Sequence, residues 1–476
     1  MKSRFVLGAV SAMLACVQSA YAVQAADPTE PQFRALYKEL VETNTTLSAG
    51  SCTLAAERIA ARLKTAGFPE SDLHLYADPA HPKEGGLVAI LPGRDPKAKA
   101  ILLLAHIDVV EAKREDWVRD PFTLVEEDGK FYARGALDDK AQAAIWADSL
   151  VRFKQEGYKP RHTLKMALTC GEETAGAFNG AEWLTKNRRE LIDAAYALNE
   201  GAGGELNAAG KRVSMTVQAG EKVAQNYRLE VINRGGHSSR PVKDNAIYHL
   251  AGALEKIQAY EFPIQLTDGS KGYLNAMAKI ELAAGHKEVA DAMLTVAKNP
   301  NDEKAVSTVS NASPSWGAML HTTCVATMLD AGHATNALPQ RARANINCRI
   351  FPGVTQETVR QALVKAIDDP AVKVETLEIR GENSPPPALT RAIMEPVEKM
   401  TAKLWPGVPV MPILQSGATD GQFLNAAGIP TYGISGIFLT PDLGNIHGLN
   451  EYIGVQSLME GRVFLHELVK IYAEQN

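Results

Sequence analysis

Apolar positions along the chain fall into short runs separated by helix-spaced stretches, and that alternation predicts a layered fold. Residues 53–66 place Leu54, Ile59, Leu63 and neighbouring alanines at near-helical spacing, and Gly67 ends the pattern. Residues 87–91 and 100–105 are short apolar runs bounded by turn residues, as expected of strands buried on both faces. A helix over about 141–155, a strand at 163–169, a helix at 181–187 and a strand at 195–198 continue the series, which argues for an open α/β sheet.

The pattern changes near residue 219. Residues 222–233 alternate like a half-buried strand, 247–259 repeat as a helix, and 322–329 with 342–350 read as a strand pair. The block closes at Ser384-Pro385-Pro386-Pro387, a run that no helix or central strand can pass through. A helix at 389–404, strands at 408–414 and 429–434 and a helix at 456–473 then resume the α/β alternation. The simplest organisation is a leader at 1–22, a first domain made of 23–218 and 384–476, and a smaller α+β domain at 219–383 inserted into it.

Composition narrows the function classes. Hydrophobic residues at 45% and charged residues at 22% exclude disordered, collagen-like and coiled-coil chains. The 50 Lys+Arg against 55 Asp+Glu give a net charge of -5 without a basic stripe, which argues against a nucleic-acid partner. At the N-terminus, Lys2 and Arg4 precede an apolar stretch from Phe5 to Val17, and Ala20-Tyr21-Ala22 supplies a signal-peptidase pattern. Cleavage is expected after Ala22, with a site near Ala25 or Ala26 as the alternative. The apolar run of about 13 residues is short of the roughly 20 needed for a stable membrane span, so the chain reads as exported, periplasmic or secreted. Met13-Leu14-Ala15 before Cys16 is a poor lipid-attachment box. Cys52, Cys170, Cys324 and Cys348 form no C-x-x-C pair and no disulfide scaffold; they allow one disulfide, whose pairing the spacing does not reveal.

Candidate chemistry sits just beyond the apolar runs. His106 and Asp108 end one strand on the same face, where a carboxylate can fix the second ring nitrogen of a metal-binding imidazole. Asp138 and Asp139 follow a glycine turn, Glu172-Glu173 and Glu200 follow two more strands, and His447 lies near the C-terminus. Ligands of open α/β sheets collect at the carboxyl ends of the strands. Imidazole and carboxylate donors without clustered cysteines suit zinc, with cobalt or manganese as substitutes. Two ions about 3.5–4 Å apart would share one carboxylate. Within Glu172-Glu173, one residue can be a ligand while its neighbour is the general base.

The His106-x-Asp108 strand end, Ala133-Arg134-Gly135-Ala136-Leu137-Asp138-Asp139-Lys140, Gly171-Glu172-Glu173, Asn199-Glu200-Gly201, Gly236-His237-Ser238-Ser239 and His447-Gly448 resemble the dinuclear zinc aminoacylase/carboxypeptidase family, which includes glutamate carboxypeptidase, acetylornithine deacetylase and succinyl-diaminopimelate desuccinylase. The resemblance covers about residues 100–455 in order. It implies an open mixed-sheet α/β zinc-peptidase domain with an inserted α+β lid, and two zinc ions per subunit. His106 and Glu200 would hold one ion, Glu173 and His447 the other, and Asp138 would bridge; Glu172 would be the base, and Asp108 would orient His106. His237 would stabilise the oxyanion, commonly across a homodimer formed through the lid, while Asn336 and Arg349 would contact the scissile carbonyl or the substrate carboxylate. The Arg fork can bind both oxygens of such a group.

Three features depart from the family pattern. Gly171 stands where many members have an acidic residue and is expected to loosen its loop, Ala141 replaces a common Gly, and 262–311 is long for a lid. His466-Glu467-Leu468-Val469-Lys470 lacks the second His of a zincin helix and reads as an ordinary surface turn. No G-x-S-x-G elbow, Walker A sequence or helix-opening G-x-G-x-x-G is present. His74, His81, His162, His249, His286, His321 and His333 carry no partner pattern and read as structural. The leading reading is hydrolysis of an amide beside a free carboxylate, on a small peptide or N-acyl amino acid. A biosynthetic acetylornithine or succinyl-diaminopimelate deacylase fits poorly with an export signal, and an inactive periplasmic binding protein has no need of Glu172.

Overall fold

In the computed structural model, the structure describes residues 27–174, 178–377 and 383–476, so the leader at 1–22 lies outside the described residues. A ten-stranded mixed sheet forms the first domain. Along its main path the strands run Leu73–Asp78, His81–Leu91, Leu164–Thr169, Ile101–His106, Tyr196–Asn199, Thr431–Gly433, Arg212–Glu221, Gly204–Leu206 and Phe438–Leu439; Val410–Gln415 pairs parallel to Arg212–Glu221 off that path. Ile101–His106 is parallel to both of its neighbours and buried throughout, which is why its sequence is a continuous apolar run rather than an alternation.

Helices cover both faces. Lys140–Gln155 packs Ala141, Ala143, Ala144 and Ala147 closely behind the sheet, and its Trp146 donates to the Leu104 carbonyl at 3.1 Å. The closing helix Val455–Ala473 packs beside it. His466 lies in this helix, buried and stacked on Phe153 at 4.5 Å, and not in a surface turn. The apolar Leu465, Leu468 and Val469 around it draw it inward.

The chain leaves the large sheet at Glu221 and enters a four-stranded antiparallel sheet at Val223, so the hand-over falls at Lys222, where the sequence had placed it near 219. That second sheet runs Thr323–Ala331, Arg341–Ile350, Val223–Ile232, Lys373–Thr376. The helices Ala246–Ala259 and Gln356–Ile367 pack against its apolar face. The long segment inside the insertion folds as helices between Asp268 and Ala318 whose core includes Met411 and Leu414 of the large sheet, so it packs on the first domain. Two disulfides are present where the sequence had allowed one: Cys52–Cys170, and Cys324–Cys348 between directly paired strand positions.

The hand-over carries a buried carboxyl. Glu221 accepts from Thr419 Oγ1 at 2.8 Å and Gln218 Nε2 at 3.1 Å on one oxygen, and its other oxygen has no partner. Burial pushes Glu221 up to about 8 against these hydrogen bonds. The folded chain thus keeps this proton where the unfolded chain has lost it, and stability falls as pH rises from about 4.5 to about 8, by up to about 1.4 kcal/mol per pH unit. Glu221→Gln is expected to flatten this part of the melting temperature against pH profile; an unchanged slope would assign it to other groups.

Candidate metal centre

Each candidate ligand is delivered by the end of an element. His106 is the last residue of its buried strand, Glu172 and Glu173 follow Leu164–Thr169, and Glu200 follows Tyr196–Asn199. These three strands are neighbours and parallel, so their carboxyl ends open on one side. Asp138 lies one residue before Asp139, the N-cap of Lys140–Gln155, where the helix dipole favours negative charge. His447 comes from a loop after Leu443–Asn445.

These side chains converge. His106 Nε2 lies 3.1 Å from Asp138 Oδ1 and 3.6 Å from Glu200 Oε1. His447 Nε2 lies 3.1 Å from Asp138 Oδ2 and 2.8 Å from Glu173 Oε1. Asp138 therefore presents one oxygen to each imidazole. His106, Asp138 and Glu200 form one cluster, Asp138, Glu173 and His447 another, and His106 with Glu172 and Glu173 a third, with the donor atoms of each within 4.8 Å of one another. Four carboxylates and two imidazoles brought together without a thiolate form a donor set that fits divalent cations.

Asp108 does more than sit beside His106. His106 Nδ1 is nearest the Asp108 backbone carbonyl, at 3.1 Å, and lies 3.5 Å from the carboxylate. The carboxylate accepts from the amides of Glu172 at 3.3 Å and Glu173 at 3.0 Å, which fixes both residues relative to His106. Gly171 has a steric requirement of its own. It takes φ +95°, and a Cβ there would stand 1.8 Å from the Phe178 carbonyl oxygen, so only glycine fits the close approach.

Electrostatics separate the carboxyls. Burial pushes Glu172 well above the usual carboxylate range, and the nearby Asp420, Glu173 and Asp108 add to the shift against the pull of His106. Burial likewise raises Glu200. It opposes ionisation of Asp138 too, but hydrogen bonds from His106 and His447 overcome it and hold Asp138 below its ordinary value. Hydrogen bonds to Asp138 and Glu173 push His447 up to about 10. Burial raises Glu173 as well, against its hydrogen bond from His447, so of the four clustered carboxyls Asp138 alone is held below its ordinary value.

The inserted domain's residues stand apart from this cluster. His237 and Asn336 are brought together with each other, in a small ladder where Gly236–His237 pairs with Ala337–Leu338 and Ser238 N donates to Asn336 O at 3.0 Å. Both are exposed, and neither is within hydrogen-bond distance of the ligands. Arg349 lies on the face of the second sheet opposite its apolar core, paired with Thr323 and Ala224.

Sequence reading passed over Asp420 and Glu451. Asp420 is buried and accepts from Thr169 Oγ1 and Asn179 Nδ2, each at 2.7 Å, behind the Glu172 loop. Glu451 accepts from the turn that presents Asp138. Its only sequence signal is its place four residues after His447.

Residues 102–471 match Peptidase family M20/M25/M40. The human N-fatty-acyl-amino acid synthase/hydrolase PM20D1 is 28% identical over 387 residues, spanning 80% of this chain and 75% of its own length. Mouse aminoacylase-1 is 25% identical over 384 residues, spanning 79% and 81%. Among solved structures, the M20 family metallo-carboxypeptidase Sso-CP2 from Sulfolobus solfataricus is similar in fold, with a TM-score of 0.68 over 93% of this chain and 99% of its own at 19% identity. With the match spanning both parts of the large-sheet domain and every clustered ligand, the chain belongs to peptidase family M20/M25/M40 and is a hydrolytic metalloenzyme of that family.

Proposed function

We propose that the protein hydrolyses an amide or peptide bond beside a free carboxylate, as a carboxypeptidase or N-acyl-amino-acid hydrolase with two zinc ions. The observation that carries this reading is Asp138 between two imidazoles, with the raised Glu172 next to the ligand Glu173. His106 and Glu200 would hold one ion and His447 and Glu173 the other. When bound, such ions polarise a carbonyl and make water acidic near neutrality. Glu172 accepts the proton of the attacking water as oxygen adds to the carbonyl carbon, then delivers it to the amine nitrogen as the C–N bond breaks. His237 and Asn336 donate to the carbonyl oxygen as it gains charge.

Arg349 supports a carboxylate-bearing substrate. Lys222, His321, Thr323 and Arg349 share one end and one face of the second sheet, by strand pairing and i, i+2 spacing, and Lys222 Nζ donates to Thr323 Oγ1 at 3.2 Å. Among the described residues neither Lys222 nor Arg349 pairs with a carboxylate. The human and mouse relatives are named for acyl amino acids, which suits this reading. N-acyl amino acids and dipeptides should be cut with zinc present, their C-terminal amides at least tenfold more slowly, and chelator should abolish both. Equal cleavage of acids and amides would remove Arg349 from its role.

A homodimer through the inserted domain is part of the proposal. Thr323–Ala331 is an edge strand with Val325, Met328 and Leu329 exposed, and Ile247 and Tyr248 of the adjoining helix are exposed as well. An uncovered apolar edge of this kind invites a partner strand. Export is supported by the N-terminal pattern and by two disulfides, which persist in oxidising compartments. N-terminal sequencing of chain recovered outside the cytoplasm reads the cleavage site. No helix of the described residues is long and apolar enough to cross a membrane.

A further inference from the structure

We propose that Glu451 and Arg134 form a buried brace that sets Asp138 against His447, so that one ion pair holds together the two loops of the metal centre. The inference rests on the metal-centre reading above. Neither side chain belongs to the ligand clusters, and no step of the proposed hydrolysis uses either.

Glu451 is 1% exposed and Arg134 2%. One Glu451 oxygen accepts from the amides of Leu137 at 2.9 Å and Asp138 at 3.1 Å; the other accepts from the Gly135 amide at 3.0 Å and Arg134 Nη1 at 2.8 Å. The Glu451 backbone oxygen also accepts from the Ala133 amide at 3.2 Å. The turn from Ala133 to Asp138 is thus wrapped around one residue, and four donors fill the carboxylate. Such charge-assisted bonds are stronger than neutral ones, and leaving any of these buried donors unpaired is costly.

Arg134 passes the constraint on. Its Nη2 donates to the carbonyls of Gly448 at 3.0 Å and His447 at 3.4 Å, and its guanidinium carbon lies 5.0 Å from the centre of the Trp117 ring. The loop it grips is one that would not hold its shape unaided. Leu443, Asn445, His447 and Asn450 all take positive φ, between 52° and 61°, a conformation that non-glycine residues keep only where their surroundings enforce it. Arg134 is bonded at the very residue whose imidazole faces Asp138.

The chemistry of the brace specifies its test. Glu451→Gln turns one acceptor into a donor, which must then face either the Leu137 and Asp138 amides or the Gly135 amide and Arg134. Arg134→Lys keeps the charge but cannot span Glu451 and the Gly448 carbonyl together. Metal-free parent, both variants and a His447→Ala reference are titrated with zinc by calorimetry, and their metal-free melting temperatures are recorded. In Arg134→Lys and Glu451→Gln, the binding step absent from His447→Ala is expected to weaken about 10- to 100-fold, while the other step changes less than threefold. Both variants are expected to lower the metal-free melting temperature, because buried groups lose partners, and excess zinc should restore kcat with little change in KM.

Parental affinity at both steps in both variants overturns the brace. So does equal weakening of both steps, which marks a general structural role. If Glu451→Gln fails to fold, Arg134→Lys decides alone. A parent chain that takes up no zinc fails differently: it removes the metal centre, and the brace with it.

Discussion

Glu172→Gln is expected to lower kcat by about 10²- to 10⁴-fold, the range contributed by a positioned general base, while zinc stoichiometry stays at the parental value. The substitution keeps the shape of the side chain and the Asp108 hydrogen bond to its backbone amide, because that bond involves no side-chain atom of residue 172. It removes only the oxygen that can take up a proton. Burial and the neighbouring carboxylates give Glu172 a higher proton affinity than an ordinary glutamate; burial raises Glu173 too, but its carboxylate is engaged by the hydrogen bond with His447. Parental turnover in the variant would sink the assignment. The same lesion reports on the dimer: when Glu172→Gln subunits are mixed with His237→Ala subunits, the mixed dimer should regain one working site of two, since the intact Glu172 of one chain meets the intact His237 of the other. No recovery after verified subunit exchange would mean that His237 acts within its own chain.

The second large effect is expected at Asp138. Asp138→Ala removes the carboxylate that presents one oxygen to each imidazole. Two-ion stoichiometry should be lost in equilibrium dialysis, and turnover should fall by about a thousandfold or more, the equivalent of several kcal/mol of lost charge stabilisation. Asp139→Ala is the control. Asp139 is the next residue and also carries a carboxyl, yet it belongs to none of the ligand clusters. If the Asp139 variant loses the ions and the Asp138 variant keeps them, the bridging role belongs to the neighbour.

Much of this site was legible because the fold makes strand ends the place where ligands gather. Ile101–His106 announces itself as an apolar run, and the polar residue that ends it is a candidate ligand. The same logic picks out Glu172, Glu173 and Glu200. What the sequence hid are relations that depend on distance in the chain and carry no periodic signal. Glu451 meets the Asp138 amide across 313 positions, and nothing in either segment encodes the other. Cys52 and Cys170 pair across 118 positions. His466 looked like a turn because a motif was read in isolation, although the helix-spaced apolar positions around it place it on a buried face. The helices between Asp268 and Ala318 could be recognised as extra length in the insertion, but only the contacts of Leu274 and Met277 with Met411 and Leu414 show which domain they serve.

Thr431–Gly433 lies between Tyr196–Asn199 and Arg212–Glu221, so a strand made late in synthesis completes the middle of the large sheet. Until it arrives, two strands made more than two hundred residues earlier have open edges, and His447 has not yet been made. A nascent chain at that stage carries every acidic residue of these clusters but only one of their two imidazoles. The side-chain clusters described above are complete only when the last fifth of the protein has threaded back into the first domain.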